Sequence, residues 1–237
     1  MPLDEDVNEA ISSLHFGATL PFWEAAVVLQ ARRLSPVQDW VVQRLDAGRR
    51  CDEGVGTADD VTARTELSDR VQQLFEAGEG PFFYSVQDRV DSVFLLLAIR
   101  SILTMADRIV TKLERLGKGA EAASARDAFL SKFPVLKTPS GETISVIKAL
   151  RDVTIHYDEY AIGFGKYREL INDPDEGLGV VEGDDGHIYI TWAGYQVNVL
   201  EAASAALDLS RALSDMFWGD GWAIPMIAIP GIKPHTA

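Results

Sequence analysis

Residues 85–116 read SVQDRVDSVFLLLAIRSILTMADRIVTKLERL and contain the longest amphipathic pattern in the chain. Apolar side chains such as Val90, Val93 and Leu97 recur at steps of three to five residues, which is the spacing along one face of an α-helix. Gly117 directly follows the pattern and predicts its end. We therefore expect one helix of about eight turns, against which the other elements pack.

Shorter helical patterns precede this stretch. Pro21 opens the first of them. Ser35 and Pro36 open a second, with Ser35 as the N-cap, Pro36 in the first turn and Gln38 completing a capping box. Thr57 opens a third. Three separate helices are thus predicted before the long one.

Helical patterns also follow the long stretch. They predict a short helix over 121–132, another that opens at Thr138 and Pro139 and runs to about residue 160, and a last one over 199–217. With the preceding patterns, this makes roughly seven or eight helices. The fold class expected from the sequence is therefore mainly α.

One small β-hairpin interrupts the helical patterns. Apolar and polar residues alternate over 187–192, and the turn dipeptides at 185–186 and 193–194 lie on either side of this run. A short strand is also expected at 180–181. These signals predict antiparallel strands immediately before the last helix.

Two parts of the chain are expected from these patterns. Residues 1–80 form an N-terminal helical segment packed on the rest, and residues 81–237 form a helical bundle with the β-hairpin and an extended C-terminal tail. Three prolines in 219–237 exclude a continuous helix there. The apolar side chains between Trp222 and Ile229 predict that the tail lies along the bundle.

Composition and charge exclude several classes of protein. Hydrophobic residues make up 47% of the 237 residues and charged residues 24%, which is typical of a packed globular protein. No apolar run approaches the roughly 18 residues of a membrane span, and the acidic start does not resemble a signal peptide. The single cysteine, Cys51, excludes an internal disulfide framework and a cysteine-based zinc site. We expect a soluble, cytoplasmic protein.

The charge is unevenly distributed along the chain. The net charge of −14 argues against a general nucleic-acid binder. Residues 85–137, however, carry 9 basic and 6 acidic side chains and are net positive. Only this middle part is expected to attract a phosphate backbone by its own charge.

Residues 150–157, LRDVTIHY, contain the strongest candidate for chemistry. In a helix with about 100° per residue, Arg151 and His156 lie on either side of one strip that faces away from the apolar side. Asp152 and Ile155 lie within that strip. Because Ile155 is apolar, we expect a second subunit to cover it.

This pattern resembles the signature of the HEPN superfamily, in which an arginine and a polar residue are followed, after a short interval, by a histidine. Arg151, Asp152 and His156 match it. The resemblance implies a HEPN-like helical bundle and metal-independent RNA cleavage, with no cofactor and no metal. It also implies a homodimer whose two arginine–histidine pairs face one cleft, and a partner such as a nucleotidyltransferase antitoxin.

The residue types suit that chemistry. A histidine with a pKa of about 6.5 exchanges protons near neutral pH, so His156 is the candidate base or acid. Arg151 is the candidate for binding phosphate, and Asp152 for orienting either partner. The expected function is that of an endoribonuclease acting as a toxin or defence component. The alternatives are a catalytically inactive HEPN-like binding or regulatory module and an acidic helical adaptor protein.

Overall fold

The structure, a computed structural model, describes residues 16–115, 117, 119–138, 141–155 and 178–218. These residues form six helices and five short strands. The helices are α1 (Phe16–Asp52), α2 (Ala58–Glu76), α3 (Val86–Arg115), α4 (Ala120–Leu130), α5 (Val146–Ile155) and α6 (Val199–Trp218). The strands are β1 (Val135–Lys137), β2 (Thr143–Ser145), β3 (Gly179–Glu182), β4 (Ile188–Trp192) and β5 (Tyr195–Asn198). The prediction of a mainly α fold is confirmed.

Helix α3 is the centre of the core, as its sequence predicts. It begins and ends within one residue of the predicted bounds, and its buried side packs against α1, α4, α5 and α6. Its fully or almost fully buried apolar side chains include Leu95, Ile99, Ile102, Leu103, Ile109 and Leu113. No helix in the described part of the chain is long and apolar enough to cross a membrane.

Helix α1 runs antiparallel to both α3 and α6. Arg33 near its middle forms an ion pair of 3.0 Å with Asp91, close to the start of α3. Glu24, nearer its start, accepts a hydrogen bond of 2.9 Å from Ser210, which lies past the middle of α6. The second half of α1 contacts β4, where Gln38 Oε1 accepts a hydrogen bond from the backbone N–H of Ile188. The starts of α3 and α6 therefore lie at one end of the molecule.

The predicted helix break at Ser35 and Pro36 is wrong. Helix α1 continues through Pro21 and Pro36 over 37 residues. Gln38 does not complete a capping box, because its side chain binds Ile188 instead. An interior proline costs about 3 kcal/mol. We attribute the continuity of α1 to its packing against α3 and α6. This packing buries residues on both sides of Pro36 and so stabilises the helix.

Helix α2 begins where its sequence predicts. Thr57 and Asp60 form a capping box, in which each side chain accepts a hydrogen bond from the other residue's backbone N–H. Arg50 in α1 also donates to Asp60, at 2.5 Å. The hydrogen bond from Arg50, followed by those from Thr57, holds the pKa of the Asp60 carboxyl well below its ordinary value. The cap of α2 is thus tied directly to α1.

A two-stranded hairpin replaces the predicted start of a helix at Thr138 and Pro139. Strands β1 and β2 pair antiparallel, and the helix starts only at Val146. Gly141 has a φ of 84° in the turn, which glycine adopts without strain. Thr138 closes the loop by donating its backbone N–H to the carbonyl of Glu142 at 2.8 Å. The predicted helix start at Thr138 is therefore replaced by the end of β1, and the helix begins eight residues later.

A second, three-stranded antiparallel sheet has the order β3-β4-β5. It contains the predicted hairpin and the short strand expected at 180–181. Ile188, Ile190 and Trp192 are buried, while the residues between them are half-buried, which confirms the alternation. The prediction of a single hairpin was incomplete, because it left out the pair β1-β2. Residues 156–177 and the expected C-terminal tail lie outside the described residues.

Candidate functional site

Helix α5 presents the first two residues of the predicted motif. It starts directly after β2, where Val146 donates its backbone N–H to the carbonyl of Pro134 at 2.9 Å. Its buried apolar side chains share one side of the helix, and they are Val146, Ile147, Ala149, Leu150 and Val153. This side packs against α3, and α5 also contacts β5. The orientation of the helix is thereby set by its apolar residues.

The other two sides of α5 belong to Arg151 and Asp152. At about 100° per residue, these two positions lie on opposite edges of the buried side. Asp152 is half-buried. The side chain of Arg151 and the whole of His156 lie outside the described residues. The structure therefore places Arg151 and Asp152 on one helix, and the closeness of His156 stays a prediction.

A polar cluster that the sequence analysis missed joins the start of α3 to the three-stranded sheet. The carboxylate of Glu182 in β3 accepts hydrogen bonds from the backbone N–H groups of Phe83, at 2.7 Å, and Tyr84, at 3.0 Å. The buried hydroxyl of Tyr84 donates to the carbonyl oxygen of Gly186. These partners are about a hundred residues apart in the chain, so no local pattern in the sequence reveals them.

The pKa values in this cluster point to a structural role. Burial, with the nearby carboxylates of Glu182 and Asp88, raises the pKa of Tyr84 far above its ordinary value. Tyr84 therefore stays a neutral donor at physiological pH. Burial also raises the pKa of Glu182, against the effect of its two backbone donors. Because both Glu182 oxygens bind backbone N–H groups, the cluster positions the sheet and offers no free acid or base.

The turn between β3 and β4 contains further paired groups. The hydroxyl of Tyr189 donates to Asp185 at 2.7 Å, and burial together with this bond raises the pKa of Tyr189 to about 12. His187 Nδ1 lies 3.2 Å from the side-chain nitrogen of Asn198. Asn198 in turn caps α6 by accepting from the backbone N–H of Glu201 at 3.1 Å. These bonds explain the order of the turn and the start of α6.

An apolar cavity of about 380 Å³ lies between α3 and the three-stranded sheet. Its lining residues are Val93, Leu96, Leu97, Leu178, Gly179, Val180 and Ile190. None of these side chains carries a polar atom, so no side chain among these lining residues transfers a proton or binds a phosphate.

Comparisons with protein families, curated proteins and solved structures find no match to this chain. In the described ranges, no group of three or more His, Cys, Asp and Glu side chains is arranged to hold a metal ion. The HEPN resemblance therefore depends on the spacing of Arg151, Asp152 and His156, and it stays a prediction.

Proposed function

We propose that this chain is a HEPN-like, metal-independent endoribonuclease of the cytoplasm, acting as a toxin or defence component. The observation that carries the proposal is the Arg151, Asp152 and His156 spacing, with the first two residues on the edges of a helix whose remaining side is buried. A firmly packed helix suits a catalytic pair, because packing holds the backbone that carries both residues in place.

The proposed reaction is attack of a ribose 2′-hydroxyl on the adjacent phosphate. His156 accepts the proton from the hydroxyl as the new oxygen–phosphorus bond forms. The bond to the 5′-oxygen then breaks, and that oxygen receives a proton from the second His156 of the dimer. The guanidinium of Arg151 binds the phosphate and stabilises the charge that grows on its oxygens. The products are a 2′,3′-cyclic phosphate and a free 5′-hydroxyl.

His156→Ala is expected to reduce RNA cleavage by at least about 10²–10⁴-fold, because general acid–base catalysis contributes that much to a rate. The measurement is cleavage of a labelled single-stranded RNA by purified protein, with and without a chelator, which is expected to have no effect. His187→Gln is the matched control, since His187 binds Asn198 in the sheet. Undiminished cleavage by His156→Ala protein, with its circular dichroism unchanged, would refute the assignment.

The active site is expected to need a homodimer, with the two α5 helices near the two-fold axis. Ile155→Asp is then expected to produce a monomer, because it places a charge in the covered strip. Light scattering at micromolar concentration measures the mass. Val90→Asp is the matched control, because Val90 is an exposed apolar residue on α3. The proposal is contradicted if the unmodified protein is a monomer. It is also contradicted if Val90→Asp dissociates the dimer and Ile155→Asp does not.

A second candidate, a non-catalytic interaction module, is favoured by a different surface. Val86, Val90 and Phe94 follow one another at steps of four on the outer side of α3, and each is more than 40% exposed. Exposed apolar strips of this kind often bind proteins. This candidate replaces the first if the unmodified dimer cleaves no RNA while Val90→Asp abolishes binding to a protein partner.

A further inference from the structure

The last third of α3 carries a basic strip, formed by Arg108, Lys112 and Arg115. These residues are spaced four and three apart, so they share one side of the helix. Arg108 and Arg115 are exposed and Lys112 is half-buried. The opposite side, with Ile109 and Leu113, is buried in the core. The strip therefore faces away from the core of the molecule.

No acidic side chain in the described part of the chain forms an ion pair with the basic strip. The acidic residues nearest in sequence, Asp107 and Glu114, lie about 100° or more around the helix from the middle of the strip. Asp107 is 3.7 Å from Arg126 of α4. By contrast, Arg44 and Arg50 of α1 each bind a carboxylate of α2. The three positive charges of the strip thus have no acidic partner among the described residues, in a protein with a net charge of −14.

Stabilisation of the helix does not explain the whole strip. Lys112 and Arg115 lie in the last turn of α3, where positive side chains interact favourably with the free carbonyl groups. This effect fades within the last turn. Arg108 lies about two turns before the end, so a separate reason is needed for its position.

We propose that the basic strip binds the phosphate backbone of single-stranded RNA. The strip spans about 10.5 Å along α3, so its three long side chains can contact neighbouring phosphates of one strand. Guanidinium groups bind phosphate oxygens in pairs, which favours Arg108 and Arg115 as phosphate contacts. The acidic remainder of the protein repels RNA and directs it towards the strip.

The strip deepens the proposed function and rests on it. Helix α5, which carries Arg151 and Asp152, packs against α3. The strip on the outer side of α3 and the proposed catalytic helix on its buried side are therefore connected through one helix. The strip is a binding surface and takes no part in the chemical step.

The test is the triple variant Arg108→Gln, Lys112→Gln and Arg115→Gln, with binding of a fluorescent single-stranded RNA followed by anisotropy. Three phosphate contacts contribute about −2.1 to the slope of log K against log salt concentration. We therefore expect the slope to become shallower by about 2. At 0.1 M salt, binding should be about 10²-fold weaker than that of the unmodified protein, and the two should be nearly equal at 1 M salt.

A control with the same change of charge is Arg32→Gln, Arg49→Gln and Arg64→Gln on α1 and α2, which should leave the salt slope unchanged. The proposal is overturned if both triple variants lose the same RNA affinity, or if the salt slope of the strip variant is unchanged. It is also overturned if poly-glutamate binds equally tightly and in a strip-dependent way. Cleavage is measured separately on unmodified protein. If RNA binding requires the strip but no RNA is cleaved, the proposed nuclease activity is refuted and the proposed RNA-binding strip is supported. If RNA is cleaved but binding does not depend on the strip, the strip proposal is refuted and the nuclease activity is supported.

Discussion

Tyr84→Ala is expected to lower the free energy of unfolding by about 3–5 kcal/mol, the range for removing a buried aromatic ring. Tyr84 is completely buried at the start of α3, and its hydroxyl donates to the carbonyl of Gly186. The change therefore leaves a cavity and removes the donor of a buried acceptor. Both effects act where the three-stranded sheet meets α1 and α3.

Urea unfolding followed by circular dichroism measures this loss. Tyr84→Phe keeps the ring and removes only the hydroxyl, so it should cost about 1–3 kcal/mol. The difference between the two variants reports the contribution of the ring. A loss below about 1 kcal/mol for Tyr84→Ala would contradict the position of Tyr84 in the core.

Gly186→Ala is expected to cost about 2–5 kcal/mol, the sum of a backbone effect and an overpacking effect. Gly186 has a φ of 80°, which costs an L-residue about 1–2 kcal/mol. A Cβ at this position would lie 2.8 Å from Leu45 Cδ1 and 3.2 Å from Val41 Cγ1. Since these side chains belong to α1, either they or the turn must shift to make room for the Cβ.

Gly194→Ala is the matched control for this variant. Gly194 has a φ of 76° in the next turn of the same sheet, but a Cβ there would meet no atom within 4 Å. It should cost only the backbone part, about 1–2 kcal/mol. Thermal or urea unfolding of both variants measures the difference. Equal losses would show that close packing of the turn on α1 contributes nothing to stability.

These two positions connect stability with the proposed site. Tyr84 and Gly186 hold the three-stranded sheet on α1 and at the start of α3. Helix α5 contacts β5 of the same sheet and also packs against α3. A change that loosens the sheet is therefore expected to disturb the support of Arg151 and Asp152 without touching either residue.

Local signals in the sequence were enough to locate several elements. The apolar period of 85–116 placed α3 within one residue at each end, and Thr57 placed the start of α2. The alternation over 187–192 placed β4. These predictions succeed because each depends on neighbouring residues: an amphipathic period, a capping side chain or a two-residue turn.

The candidate site was only partly accessible to the same reasoning. The apolar residues around Arg151 and Asp152 correctly predicted a helix with one buried side, although not the residue at which it begins. Whether His156 comes near Arg151 stays a prediction. The charge of 85–137 indicated a basic region, but only the ion pairs of the folded chain distinguish the unpaired strip at Arg108, Lys112 and Arg115 from arginines such as Arg126.

The sequence by itself determined that the protein is mainly helical, which residues form its central helix, where α2 begins, and where the strands before α6 lie. Only the tertiary structure decided that α1 continues through Pro36 and that Glu182 and Tyr84 join the sheet to α3. The reason is physical. Local propensities differ by at most about 3 kcal/mol per residue, and contacts between residues far apart in the chain outweigh them once apolar surface is buried.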